Sequence, residues 1–391
     1  MNLFKRLCLT LCVFPCVAMA VGMPPITVPS SDSDILETVV PPGDSDIREA
    51  RSLRARLAAN PDDLRITLQL SRRYLELARR EADPRYVGYA EALLTPWLSK
   101  PPVPADIKVM YAIVLQATHR FEPAISMLQQ SIKQDQRNPQ AWLTLASVKQ
   151  VQGDFPAARS ACLGLATTLD AGVATRCLAG LDLLGPQAAS AHARLAEDLR
   201  QGKLADWEVA ALRVALAESA ARLGYDKEAG SEFREAMRSG ADSYVKAAYA
   251  DYLLDRKKYS AVISLLRNDQ RIDPLLLRLA EASRGAAMDD KQYITALAAG
   301  FDAARERGNL THLREESRFE LRLRGNATRA LALAKHNWEI QREPADVRVF
   351  LEAAAQANDR ISAQPVLAWV RKTGLIDVAI QPLVERLGAK K

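Results

Sequence analysis

The stretch NPQAWLTLASVKQVQGDFPAARSACLGLATTLD, residues 138–170, decides the fold. Trp142, Leu145 and Ala146 share one face of a first helix, by their 3.6-residue spacing. Gly153-Asp154 breaks this pattern. The apolar stripe of a second helix then follows at Phe155, Ala158, Cys162 and Leu165. A hairpin of two short helices cannot bury both apolar faces alone, so the stretch predicts neighbouring hairpins.

Small residues recur along the chain with a period of 33 to 34 residues. Between Ala158 and Ala229 the spacing is two periods plus three residues, which predicts a degenerate unit with helices at 171–184 and 186–202. In one repeat Val262 replaces the recurring small residue, whose place we call the pivotal position. A period of this length predicts about nine helical hairpins between Pro61 and Thr373. The pivotal alanines that set the register are Ala90, Ala124, Ala158, Ala229, Ala296, Ala330 and Ala363.

The period and these positions resemble the tetratricopeptide repeat (TPR) family. The family places a large apolar residue, Leu and a small residue in its first helix, as at Trp142, Leu145 and Ala146. It places Gly and an aromatic residue at the turn, as at Gly153 and Phe155, although the turns near residues 119 and 256 lack Gly. The resemblance implies an all-α fold, a right-handed superhelical α-solenoid of about nine 34-residue helix-turn-helix repeats.

The resemblance also implies a binding surface for a peptide or helix segment, because the first helix of each pair lines the concave face in this family. The family's Lys/Asn clamp for a C-terminal carboxylate is not supported, since Val109, Ile113 and Leu143 hold the matching positions. The alternative is that Met110, Ile113 and Leu143 pack between units. The implied concave residues are Arg72, Leu75, Arg79, Met110, Ile113, Gln116, Leu143, Ser147 and Gln150.

The N-terminus has the pattern of a secretory signal. Lys5-Arg6 precede an apolar run, and Ala18-Met19-Ala20 supplies small residues for cleavage after Ala20. A lipoprotein signal at Cys12 or Cys16 and an uncleaved anchor are the alternatives. The predicted plan is a signal peptide at 1–20, a disordered acidic Pro/Ser-rich tether at 21–45, the repeat array at 46–373, and a capping helix and tail at 374–391, in which residues 374–388 form the helix. The predicted location is the periplasm, with outer-membrane association as the alternative.

Two cysteines, Cys162 and Cys177, remain once the leader is removed. An even pair in an exported protein favours a disulfide. The alternative is two buried free thiols, because free Cys often behaves as a small core residue. The bridge would close a loop of about 15 residues and contribute about 3 kcal/mol in the chain-entropy model.

No pattern of residues points to catalysis or to a metal. The four histidines, His119, His192, His312 and His336, lack metal-ligand spacing, and no Gly-rich phosphate loop is present. Asp289-Asp290 and Glu315-Glu316 read as ordinary helix-end and helix-face charges. The net charge of +6 includes Lys5 and Arg6 of the leader, so it is weak evidence for nucleic acid. We expect no enzyme activity, no metal and no cofactor.

The sequence therefore predicts a non-enzymatic protein–protein interaction scaffold of the bacterial cell envelope. Its predicted partners are other envelope proteins or peptides, not nucleic acid, and it would meet a membrane only through a partner or an N-terminal lipid or anchor. One alternative is an envelope enzyme with its site in the C-terminal third, where charge is dense from Arg318 to Arg348; shifted pKa values in a shared cleft would favour it. Another is an assembly factor of an outer-membrane secretion, pilus or polysaccharide-export complex.

Overall fold

The computed structural model describes residues 45–168, 171–239, 242–309 and 311–389. The predicted signal peptide, and the tether up to residue 44, lie outside these ranges. Within them all regular secondary structure is helical. The helices are α1 (Ser45–Ala59), α2 (Leu64–Glu81), α3 (Pro84–Leu98), α4 (Ala105–Ala117), α5 (Phe121–Gln134), α6 (Pro139–Val151), α7 (Phe155–Leu165), α8 (Ala171–Asp182), α9 (Ala188–Gln201), α10 (Asp206–Leu223), α11 (Asp226–Arg238), α12 (Ser243–Asp255), α13 (Tyr259–Leu266), α14 (Asp273–Gly285), α15 (Lys291–Glu306), α16 (Leu313–Arg322), α17 (Ala327–Ile340), α18 (Pro344–Gln356), α19 (Arg360–Thr373) and α20 (Gln381–Gly388).

In the described part of the chain, helices α2 to α19 pair in order into nine hairpins, which we number units 1 to 9. The prediction of an all-α solenoid is confirmed, including a degenerate fourth unit made of α8 and α9. Helix α1 precedes the array and buries Ala50 and Leu53 against unit 1. None of the helices in the described ranges has both the length and the apolar character needed to cross a bilayer.

The last helix is shorter than predicted. The sequence pattern suggested a helix from Gly374 to Gly388, but α20 begins only at Gln381. Gly374 has a φ of 66° and its N–H donates to the carbonyl of Val370, so it caps α19 instead. The chain then turns before α20 starts.

Local sequence sets the starts of α6 and α7, the two helices of unit 3. The side chain of Asn138 caps α6 by accepting from the N–H of Ala141 at 3.2 Å, and Pro139 occupies the first turn. Asp154 caps α7 in the same way, accepting from the N–H of Ala157. These two capping residues thus fix where α6 and α7 begin.

The pivotal alanines lie where the two helices of a unit meet. Six of the seven have no exposed surface, which leaves no room for a larger side chain. Ala296 differs, because it is half-buried and its neighbour Leu297 is buried in its place. The register therefore shifts locally in α15.

The turns of units 2 and 6 keep the family's backbone conformation without its Gly. His119 and Lys257 have φ values of 56° and 54°, in the left-handed region that glycine enters most easily. Gly153 has a second reason to be glycine. A Cβ there would lie 3.0 Å from the Cβ of Arg342 and from the indole ring of Trp369, both in distant units.

Units far apart in sequence touch each other, so the array is coiled tightly. Arg79 at the end of α2 pairs with Asp242 at the start of α12, at 3.3 Å. The N–H of Arg342 donates to the carbonyl of Val151 at 2.7 Å, which joins unit 3 to the segment that follows unit 8. These contacts do not follow from the repeat period.

Cys162 and Cys177 connect units 3 and 4, where the period slips. Their sulfur atoms lie 2.00 Å apart and their Cα atoms 5.6 Å apart, which is the spacing of a disulfide. The pair joins α7 to α8, and Cys162 is fully buried.

Candidate protein-binding groove

The first two units contribute little open surface to the concave face. Met110 is only 6% exposed and packs in the core of units 1 and 2, and Ile113 packs against two neighbouring clusters. For these two residues the structure agrees with the alternative interpretation, packing between units. Leu75 is half-buried in the same core. Arg72 is exposed.

Unit 3 supplies the open part of the predicted surface. Leu143, Ser147 and Gln150 line one groove of about 310 Å³, which we call the apolar groove. Gln116 reaches its edge, where its amide donates to the hydroxyl of Ser147 at 3.0 Å. Helices α8 and α10 complete the walls with small and aliphatic side chains, among them Val173, Cys177, Gly180, Ala211, Leu212 and Ala215.

One ion pair forms the polar part of the apolar groove. Arg176 of α8 pairs with Glu208 of α10 at 2.5 Å, and both side chains are mostly buried. The pair connects units 4 and 5 across the groove. It leaves a mainly apolar surface with one charged edge, a composition typical of ligand-binding clefts.

Helix α10 continues from the apolar groove into a second space, which we call the charged cavity. This cavity has a volume of about 600 Å³. It lies between α10, α12, α18 and the turn after α19. The charged side chains that line it include Glu218, Arg222, Asp251, Asp255, Arg348 and Asp377.

Beside the charged cavity, arginines and carboxylates alternate in one continuous network. It begins and ends on α12 and crosses α14, α16 and α18. Arg278 lies outside the chain of successive pairs given next, and it pairs with Asp251, the first carboxylate of that chain, at 2.7 Å. The successive pairs are Asp251–Arg318, Arg318–Glu281, Glu281–Arg322, Arg322–Glu352, Glu352–Arg348 and Arg348–Asp255, with N–O distances of 2.7, 2.5, 3.1, 2.7, 2.8 and 2.7 Å.

The network holds most of its carboxylates ionised. Burial opposes ionisation of Asp251, but Arg278 and Arg318 outweigh it and hold the pKa of that carboxyl well below its usual range. The same balance lowers the pKa values of Glu281 and Glu352. These shifts follow from ion pairing, which structural networks produce as readily as catalytic sites do.

The pKa shifts the other way for three carboxyl groups near the charged cavity, those of Glu218, Asp346 and Asp377. Burial raises the pKa of Glu218, whose carboxylate accepts a hydrogen bond from the hydroxyl of Tyr244 at 2.7 Å. Burial also raises the pKa of Asp346 to about 6. Asp346 accepts from the side-chain amides of Asn337 and Gln341 and caps the start of α18, so its position has a structural explanation.

The solved structures similar to this chain are distant in sequence. No family model and no curated protein matches the chain. Similar solved structures include a tetratricopeptide repeat protein from Parabacteroides merdae, 12% identical, which covers 81% of this chain and 99% of that one with a TM-score of 0.30. The TPR domain of P58(IPK) is 13% identical and covers 81% and 97%, with a TM-score of 0.24. Both are TPR structures. The fold assignment itself rests on the nine hairpins.

His192 and the acidic pair Glu315-Glu316 take structural positions. The ring of His192 is buried and bonds Ser219 at 2.7 Å and Glu228 at 2.9 Å. No group of three His, Cys, Asp or Glu side chains in the described ranges has an arrangement that could hold a metal. Glu315 and Glu316 differ from the expectation of ordinary helix-face charges, because both are buried. Glu316 pairs with arginines of α15 and α17, which explains how α16 tolerates it.

The charged cavity was missing from the sequence prediction, although a signal for it existed. The predicted concave residues stopped at unit 3. Units 2 and 6 share a pattern in which Lys246 matches Lys108, and the same offset places Asp251 at the position of Ile113, one of the predicted concave residues. The repeat alignment does not predict which distant residue such a charged side chain pairs with. Arg348 and Asp255, for example, are 93 residues apart in sequence.

Proposed function

We propose that this protein is a scaffold that binds a segment of another protein in the apolar groove. The observation that carries the proposal is the groove itself, formed by α6, α8 and α10, the first helices of units 3, 4 and 5. A groove between parallel first helices suits an extended or helical segment that inserts an aliphatic side chain. The charged edge at Arg176 and Glu208 can meet the polar backbone of such a segment.

The walls of the groove are held in place before any partner binds. Cys177 lines the groove and is tied to α7 at disulfide distance. The Arg176–Glu208 pair fixes α8 against α10. A preorganised groove loses less conformational freedom on binding, which favours affinity.

The test is a selection of random peptides displayed on phage against purified residues 21–391. We expect enrichment of sequences with an aliphatic anchor. Ala211→Arg should fill the groove and weaken the selected peptides at least tenfold, because Ala211 lines it and is exposed. Ala193→Arg, at an exposed alanine of α9, is the matched control.

Thermal unfolding of both variants checks that they remain folded. The proposal fails if no sequence is enriched. It also fails if Ala211→Arg binds the selected peptides as tightly as the unchanged protein.

We also propose that the protein acts in the periplasm, with envelope proteins as partners. The support is the N-terminal pattern that ends at Ala20, together with a cysteine pair at disulfide distance, which oxidising compartments permit. N-terminal sequencing of the protein from a periplasmic fraction should begin at Val21. Recovery of the protein from the cytoplasm with Met1 in place would refute this location.

A further inference from the structure

The apolar groove and the charged cavity share one wall, helix α10. Ala215 lines the groove, and Glu218 lines the cavity three residues further along. With a rise of 1.5 Å per residue, the two positions are only about 5 Å apart along the helix. When a segment binds in the groove, side chains a few residues along that segment can therefore reach the cavity.

Most charges around the cavity already have partners. Asp226 pairs with Arg256, and Asp255 receives two hydrogen bonds from Arg348, at 2.8 and 2.7 Å. Asp251 is held by two arginines of the network. These carboxylates are neutralised within the protein and need no ligand.

Three charged side chains at the cavity are not neutralised in this way. Glu218 receives one hydrogen bond, from Tyr244, and its second carboxylate oxygen has no partner among the described residues. The side-chain carboxylate of Asp377 accepts one hydrogen bond within the described ranges, from the backbone N–H of Ala379 at 2.8 Å. Arg222 forms no ion pair within the described ranges. Two carboxylates and one arginine leave an excess negative charge facing the cavity.

The groups around Glu218 and Asp377 support the same interpretation. Burial raises the pKa values of Glu218 and Asp377, and the nearby Arg222 offsets this only in part. Tyr244 stands beside Glu218 with 55% of its surface exposed. A cation in the cavity would meet these two carboxylates.

We propose that a lysine or arginine side chain of the bound segment enters the charged cavity and pairs with Glu218 and Asp377. The inference rests on the proposed function, because the cation belongs to the segment held in the apolar groove. An extended strand advances 3.3 Å per residue. The basic residue therefore lies one to three positions from the aliphatic anchor.

The first experiment tests the cavity without any peptide. Agmatine, which carries a guanidinium and an ammonium group, is titrated into the purified protein and followed by calorimetry. We expect binding that weakens at least tenfold in the double variant Glu218→Gln/Asp377→Asn. Glu197→Gln, at an exposed side chain of α9, is the control and should bind agmatine as the unchanged protein does. Equal binding by the double variant, or binding of succinate in place of agmatine, would overturn the proposal.

The second experiment uses the peptide selection. We expect a basic residue to be enriched one to three positions from the aliphatic anchor, and the double variant to lose this preference while it keeps the aliphatic one. Enrichment of the aliphatic anchor alone would overturn the inference and leave the proposed function standing. Specific agmatine binding without any selected peptide would instead refute the proposed function and the peptide origin of the cation.

Discussion

Arg318 is the side chain on which the ion network depends most. It bridges Asp251 and Glu281 at 2.7 and 2.5 Å, and it is only 13% exposed. Arg318→Met keeps the aliphatic stem and removes the charge. Removing one partner of a buried pair costs about 3–5 kcal/mol, because the remaining charge is uncompensated. Each carboxylate keeps a second arginine, Arg278 or Arg322, so we expect a loss near the lower end, about 3 kcal/mol.

Urea unfolding followed by circular dichroism measures this loss, with hydrogen exchange to locate it in α14 and α16. Arg200→Met is the control, because Arg200 pairs with Glu197 at an exposed site, and we expect no measurable change there. Adding Glu281→Gln to Arg318→Met should recover part of the stability, since it removes a buried carboxylate that has lost one of its two arginines. A loss below 1 kcal/mol for Arg318→Met, or an equal loss in the control, would refute this account of the network.

Three further predictions concern packing, the cysteine pair and pH. Ala158→Leu should overpack unit 3 and cost roughly 1–3 kcal/mol in thermal unfolding, whereas Ala92→Leu, at an exposed position, should not. Replacing Cys162 and Cys177 by Ser should cost about 3 kcal/mol; free thiols in the unchanged protein by non-reducing mass mapping would contradict this. The pKa of Glu281 is lower in the folded protein than in the unfolded chain, where it is about 4.3. Ionised Glu281 therefore stabilises the fold fully above that unfolded pKa, and this stabilisation is lost as pH falls through the folded pKa. Unfolding midpoints measured from pH 5 to pH 3 should therefore fall, and less so in Glu281→Gln.

The repeat period predicted the fold because the two helices of each unit pack against each other in the same way. A small residue such as Ala158 must stand where two helices meet, and a breaker such as Gly153-Asp154 must separate them. These requirements recur in most units and are visible in the sequence. The late start of α20 could not be predicted, because the apolar pattern after Gly374 fits a helix throughout. In the structure Gly374 caps α19, and a new helix begins only at Gln381.

The candidate site was predictable only where it is built from positions that recur in each repeat. Leu143, Ser147 and Gln150 follow from the register of one unit, and they do line the apolar groove. The charged cavity depends on which units meet after the array coils. Arg348 meets Asp255 across three units, and no local pattern records that meeting. Contacts between neighbouring helices are periodic, whereas contacts between coils are not.

Contacts between coils should also change how the array unfolds. In an open solenoid each repeat contacts only its neighbours, so damage in one unit spreads little. Here the ring of Trp369 in unit 9 lies 5.6 Å from that of Phe155 in unit 3, and it faces Gly153 in the turn of that unit. The N–H of Arg342 reinforces the same junction. Units 3 and 9 are therefore coupled although some 200 residues separate them.

Trp369→Ala tests this coupling. We expect faster amide exchange not only in α19 but also in α6 and α7, because the turn between these two helices loses the indole that packs against it. Trp97→Ala is the matched control, since Trp97 packs within the core of units 1 and 2 and should affect only helices near it. Unchanged exchange in α6 and α7 after Trp369→Ala would show that the coils touch without supporting each other, and that the array unfolds as an open solenoid does.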